Sequence, residues 1–166
     1  MSKFSHIRHK PPTPLLVSRP LIVACSPMRS NVNLSTIIRT AGCCGVTEVI
    51  ATGNAKVDPR IARDGAEQVQ LTVKRTLAPV LKRLKSLRYT LVGLEQATGS
   101  VNLHDYAFPR KCVLVIGAER EGISQECLDL IDTVVEIPVW GLPFSYNVAT
   151  ATSLCLYEYC RQYPTG

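Results

Sequence analysis

The chain has 166 residues, of which 46% are hydrophobic and 19% charged, and its formal net charge is +6 at pH 7. That length suits one domain with a real core, and that balance excludes a disordered chain. No apolar run approaches the roughly eighteen residues that span a bilayer, which excludes a membrane-spanning segment.

The first stretch, MSKFSHIRHKPPTPLL, mixes basic residues with Pro11, Pro12 and Pro14. A signal peptide needs an uninterrupted apolar core there. Residues 1–19 read as a basic tail and residues 20–166 as the domain. Six basic residues (Lys3, Arg8, Lys10, Arg19, Arg29, Arg39) come before the first acidic one, Glu48, and from Glu48 onward thirteen basic residues balance thirteen acidic ones. A basic arm on a neutral body attracts polyanions, RNA or DNA first, or is simply a solvated tail; charge alone leaves both open.

Along the rest of the chain, short β-branched apolar runs alternate with helical patterns. Strands are predicted at 20–26, 46–52, 69–73, 89–95, 112–118 and 133–139, several of them apolar on both faces. Helices are predicted at 33–44, 59–66, 77–88, 124–131 and 147–161. The fold class is α/β, a mostly parallel sheet flanked by helices. In the helix at 77–88, Leu77, Leu81, Leu84 and Leu87 form one stripe for the sheet. The seven cysteines show no CxxC spacing and read as core residues in a reducing compartment. The three histidines have no neighbours at metal-ligand spacing, so no metal is expected. The reading is of a soluble, non-exported, cytoplasmic protein.

Three strand-to-helix junctions carry residues suited to chemistry, at the place where open α/β sheets put ligands. In NVNLSTIIRTAGCCGV (31–46), Asn31 or Asn33 can cap the helix, Gly45 can end it, and Arg39 sits away from both ends. By itself Arg39 reads as a surface arginine. In VLVIGAEREGIS (113–124), Gly117 lets a ligand approach the backbone, Gly122 frees a turn, and Glu119 and Glu121 flank Arg120. The spacing matches neither GxGxxG nor a phosphate loop. In EIPVWGLPFSYNVATATSLCLYEYC (136–160), Ile137, Trp140 and Leu142 can wall a flat ring, and Pro138, Gly141 and Pro143 free backbone groups beside it. Ser145 and Asn147 stand at the start of a helix, where capping alone would explain them. That helix is apolar almost all round, so it is buried or lies in a subunit interface.

Taken in order and spacing, NLSTIIRT, VIGAEREGI and IPVWGLPFSYNVATATSLCLYE resemble the three motifs of the SpoU/TrmH group of SPOUT RNA 2′-O-methyltransferases. The likeness covers about residues 20 to 162. The stretch LVGLEQATGSVNLHDYAFPRKCVLVIGAEREGI is most similar to TARBP-like tRNA guanosine-18 methyltransferase domains. The resemblance implies a SPOUT fold with a C-terminal deep trefoil knot, which the general rules of chain connection disfavour. It also implies S-adenosylmethionine held in the knotted loops, RNA (tRNA first) as substrate, and a homodimer that completes each site. Carried over by position, Arg39, Asn33, Glu119, Ser145 and Asn147 are the catalytic set, and Leu94, Gly117, Ile137, Leu142 and Tyr146 line the cofactor pocket. Trp140 joins them as an aromatic able to stack on adenine. The basic arm, Lys3, Arg8, Lys10, Arg19 and Arg29, is the candidate for added RNA grip. Ribosomal RNA or another tRNA ribose stays open as substrate. The rival readings are a catalytically idle RNA-binding dimer and a dinucleotide-dependent oxidoreductase, the latter lacking its GxGxxG.

Overall fold

Strands apolar on both faces belong in the middle of a sheet covered on each side by helices. The computed structural model, which describes residues 3–166, arranges them so. Seven strands, β1 (Leu21–Cys25), β2 (Glu48–Thr52), β3 (Gln70–Lys74), β4 (Thr90–Leu94), β5 (Val101–Asn102), β6 (Cys112–Ile116) and β7 (Thr133–Glu136), form one sheet in the order β3-β2-β1-β6-β4-β7-β5. Every strand pair is parallel. The two fully buried strands, β1 and β6, are neighbours near the centre, and β3, with exposed residues at both ends, is an edge.

The two-residue side-chain period divides the core. Leu21, Val23 and Cys25 of β1 and Cys112, Leu114 and Ile116 of β6 face one apolar cluster. Ile22, Ala24, Val113 and Val115 face the other. Against the first face pack α1 (Asn31–Cys43), through Leu34, Ile37, Ile38 and Ala41, and α6 (Val148–Gln162), through Ala149, Cys155, Leu156 and Tyr159. The spacing 34, 37, 38, 41 is that of a single helical face. Each fully buried Leu or Ile there contributes roughly 1.5–3 kcal/mol relative to exposure. Against the second face pack α4 (Ala78–Ser86), through Ala78, Leu81 and Leu84, and α5 (Gln125–Leu128), through Cys127. No helix among the described residues is long and apolar enough to cross a membrane.

Several predicted elements change in detail. The helix expected at 59–66 is two single turns, α2 (Pro59–Ala62) and α3 (Gly65–Gln68), because Arg63 between them takes φ 54°. The last strand stops at Glu136, leaving 137–139 as loop, and β5 is too short to show a period. The helix expected at 124–131 is the single turn α5. Leu87 lies past the end of α4 and is exposed, so it leaves the predicted stripe. The cap of α1 is neither Asn31 nor Asn33 but Ser30, whose hydroxyl accepts the Asn33 N–H. Gly45, at φ 67°, does follow the helix end. All seven cysteines are free, though Cys43 is exposed rather than core.

The basic arm is anchored before residue 20. The Leu16 N–H donates to the Thr165 carbonyl at 2.8 Å. Leu15 lies over Gly45, where a Cβ would come within 2.5 Å of Leu15 Cδ1. Arg19, expected to touch RNA, is instead buried to 7% exposure, and its Nη1 donates to the Tyr163 carbonyl at 2.6 Å. Lys3, Arg8 and Lys10 are exposed.

Candidate active site

Parallel strands put all their carboxyl ends at one edge, and strand order runs outward in two directions from β1 and β6. Ligands of open α/β sheets bind at such a reversal. Here the strand ends open into a cleft of about 520 Å³. It is lined by Leu94 to Gln96 at the end of β4, Gly117 to Arg120 and Gly122 after β6, Glu136, Ile137 and Val139 at the end of β7, and Ser145 to Val148 with Ala151 at the start of α6.

One run of hydrogen bonds joins the three motifs at this cleft. The Glu119 carboxylate accepts the Arg29 N–H at 3.0 Å, the Ser30 N–H at 2.9 Å and the Asn33 Nδ2 at 3.0 Å. Asn33 Oδ1 in turn accepts Asn147 Nδ2 at 3.1 Å. Asn147 caps α6, its Oδ1 accepting the N–H of Ala149 at 2.9 Å and of Thr150 at 3.3 Å. Capping and site-building are thus one role for Asn147, since its carbonyl oxygen serves the helix while its amide nitrogen serves Asn33. The Arg29 guanidinium pairs with Glu121, so the turn after β1 is clamped to the turn after β6 twice.

Partial burial alone would push the Glu119 carboxyl up. The Arg29 and Ser30 N–H groups and the Asn33 amide outweigh it and hold the carboxyl at about 2, below its ordinary 4.5. A folded-state value below the unfolded one stabilises the fold above pH 4.5, and that stability is lost as pH falls toward 2. Glu119→Gln should therefore unfold at a lower temperature than the parent protein above pH 4.5, with the gap closing toward pH 2. Thermal melts across that range check it, and a gap independent of pH would contradict it.

The glycines serve the turn itself. A Cβ on Gly117 would lie 2.6 Å from the Gly122 carbonyl carbon and 2.8 Å from the Ile123 nitrogen. Gly117 therefore admits its own chain, besides lining the cleft where the sequence pointed to a ligand. Gly122 takes φ 65°, and a Cβ there would come within 2.5 Å of Glu95 Oε2. That same oxygen accepts the Ile123 N–H at 3.1 Å.

Of the residues expected from sequence, Glu119, Ser145, Asn147, Leu94, Gly117, Ile137 and Tyr146 line the cleft. Asn33 reaches it through Glu119 and Asn147. Arg39, on the exposed side of α1, does not line it, and its guanidinium has no hydrogen-bond or ion-pair partner among the described residues. Trp140 and Leu142 do not line it either; they stand 82% and 78% exposed on the loop after β7. Sequence reasoning missed Glu95, Gln96, Glu136, Val139 and Ala151. Glu136 accepts the Ser100 hydroxyl at 2.6 Å, and Gln96 Nε2 donates to the Phe144 carbonyl at 3.0 Å, pinning the loop. Among the described residues no three His, Cys, Asp or Glu side chains come together as a metal site.

Comparison with known proteins agrees with this geometry. The mouse (Mus musculus) tRNA (guanosine(18)-2′-O)-methyltransferase TARBP1 is 32% identical over 152 residues, covering 88% of this chain and 10% of that protein. The tRNA (guanosine(18)-2′-O)-methyltransferase of Escherichia coli (strain K12) is 34% identical over 133 residues, covering 78% of this chain and 58% of that one. This chain thus spans a tenth of the first relative and little more than half of the second. The crystal structure of the SpoU methyltransferase AviRb from Streptomyces viridochromogenes, in complex with the cofactor AdoMet, superposes with a TM-score of 0.78 at 28% identity. That superposition covers 91% of this chain and 63% of AviRb. Residues 20–157, which contain the first two motifs, all but the last residue of the third, and the whole cleft, match the SpoU rRNA Methylase family, and the chain belongs to it.

Proposed function

We propose that this chain is an S-adenosylmethionine-dependent RNA ribose 2′-O-methyltransferase acting on tRNA, with guanosine 18 as its target. The observation that carries the reading is the hydrogen-bonded run from Glu119 through Asn33 to Asn147 at the mouth of the cleft. The relatives named for tRNA guanosine 18 support the substrate.

The cleft suits the cofactor. About 520 Å³ lies within the range that buries a ligand of this size. Leu94, Ile137, Val139, Val148 and Ala151 offer an apolar wall for a flat ring, and Tyr146 stands beside them. Three carboxylates (Glu95, Glu119, Glu136) against one guanidinium (Arg120) favour a cationic ligand. When bound, S-adenosylmethionine supplies a methyl group activated by a sulfonium.

What remains for the chain is to place a ribose hydroxyl in line and to accommodate its proton. Glu119 is a poor proton acceptor, since three donors occupy its oxygens and hold its carboxyl at about 2. It acts as a positioning residue for Asn33. The Ser145 hydroxyl, unbonded among the described residues, is free to meet the substrate. A guanidinium stays protonated in proteins, so Arg39 orients the hydroxyl and a neighbouring phosphate rather than taking the proton. Arg39→Lys, which keeps the charge and loses the bidentate fork, should lower kcat/KM about tenfold, roughly 1.4 kcal/mol. Unchanged kcat/KM would contradict the orienting role.

The reading includes a homodimer. Arg39 lies outside its own chain's cleft, as it would if a second subunit completes each site. Trp140, Leu142, Phe144, Leu154 and Tyr157 leave exposed apolar surface on the loop after β7 and on α6 for such a seam. It also includes the trefoil knot through the loop after β7, a cytoplasmic location, and RNA contacts from Lys3, Arg8 and Lys10. Arg29, already paired with Glu121, shapes the site more than it grips RNA.

The test is methyl transfer from labelled S-adenosylmethionine to unmodified tRNA and to unmodified rRNA, followed by nucleoside analysis. The expected product is 2′-O-methylguanosine in tRNA. Transfer to rRNA alone would move the substrate, and a methylated base would overturn the reaction.

A further inference from the structure

Arg19 is a buried cation whose charge is unmatched. It is 7% exposed, forms no ion pair with any carboxylate among the described residues, and its Nε is a buried donor with no partner. Removing a charge from water without a counter-charge is costly, so what faces it matters. Its guanidinium stands 5.7 Å from the Tyr159 ring centroid, and its Nε lies 3.7 Å from where a Cβ of Gly45 would be. The residues adjoining those two are Cys160 and Cys44. Cys160 Sγ donates weakly to the Cys44 carbonyl at 3.7 Å, which brings the two residues together across α1 and α6. Both are half-buried and free.

We infer that Cys44 and Cys160 form a redox modification site, closed to a disulfide by a hydroperoxide, with Cys160 as the attacking sulfur. The chemistry balances in two steps. The Cys160 thiolate attacks one peroxide oxygen, the O–O bond breaks, and the sulfur becomes a sulfenic acid while the leaving oxygen takes a proton. The Cys44 sulfur then attacks the sulfenic sulfur, the S–S bond forms, and water leaves with the Cys44 proton. Two thiols lose two electrons and the peroxide gains them.

The direction of attack follows from the environment. The interaction with Cys44 draws the Cys160 thiol down most, burial opposes this, and the Arg19 charge adds to it, leaving Cys160 below its ordinary value. The same interaction, with burial, pushes Cys44 up against the pull of Arg19. Cys25 and Cys112 differ, since burial pushes both to about 12 with no cation beside them. The bridge would tie the end of α1 to the last turn of α6, the two helices whose first turns meet through Asn33 and Asn147.

The test treats the intact chain with hydrogen peroxide, alkylates remaining thiols, and maps peptides by mass spectrometry. A Cys44–Cys160 linkage two hydrogens lighter than the thiols is expected, reversed by dithiothreitol, retained in Cys43→Ser and absent in Cys160→Ser. Independently of cross-linking, alkylation of Cys160 by iodoacetamide should rise with a midpoint below the ordinary 9.0, and Arg19→Met should move that midpoint upward. Oxidation confined to Cys43, or a Cys160 midpoint near the ordinary 9.0, would overturn the inference.

Discussion

Glu119→Ala is expected to lower methyl transfer roughly a hundredfold, about 2.7 kcal/mol of barrier. Three donors from the turn after β1 and the first turn of α1 end on the carboxylate, which gives it a positioning role. Without it Asn33 loses its anchor at 3.0 Å, and with that the 3.1 Å contact to Asn147. The motifs would then keep their places in the sheet and lose their mutual alignment. Because most of the cleft lining is untouched, affinity for S-adenosylhomocysteine, measured by calorimetry, should fall less than tenfold while kcat carries the loss. A variant keeping more than half its kcat would contradict the positioning role.

Gly117→Ala is the second large effect, and it acts on the fold. The three atoms a Cβ would meet at 2.6–2.8 Å are all backbone of Gly122 and Ile123, so no side chain can rotate away. The Ala118 and Gly122 N–H···O pair, both at 3.0 Å, must open or β6 must shift. Overpacking of this kind costs about 1–3 kcal/mol. For a domain of this size that lowers Tm by roughly 3–10 °C, and cofactor affinity falls with it because the displaced turn lines the cleft. Gly141→Ala is the control, since nothing lies within 4 Å of a Cβ there and Tm should stay put. Equal Tm for both variants would contradict the account of the turn.

The central strands were legible because β1 and β6 carry apolar side chains on both faces, a signal that needs no knowledge of partners. The break at Arg63 was not, because φ 54° is a conformation that sequence rules assign to glycine or asparagine. The three motif junctions were legible from chain order and spacing. Glu95 was not, since its part in the site depends on the Ile123 N–H, which the fold alone brings near. Arg19 was misread for a related reason. Counting charge makes it one of six cations in a basic arm, whereas its partner is the Tyr163 carbonyl at the far end of the chain. Trp140 and Leu142 were read as walls for a flat ring, and the loop turns both outward.

We place the cofactor in the cleft after β4, β6 and β7. Calorimetric titration of S-adenosylhomocysteine into the parent protein and into Ala151→Phe tests this most directly. Ala151 lines the cleft from within α6, where a larger side chain leaves the helix intact and fills the space. Measurable binding to the parent protein is expected, with at least a thirtyfold loss in the variant, about 2 kcal/mol, and its circular dichroism unchanged. Equal affinity for both proteins would place the cofactor elsewhere and contradict the account.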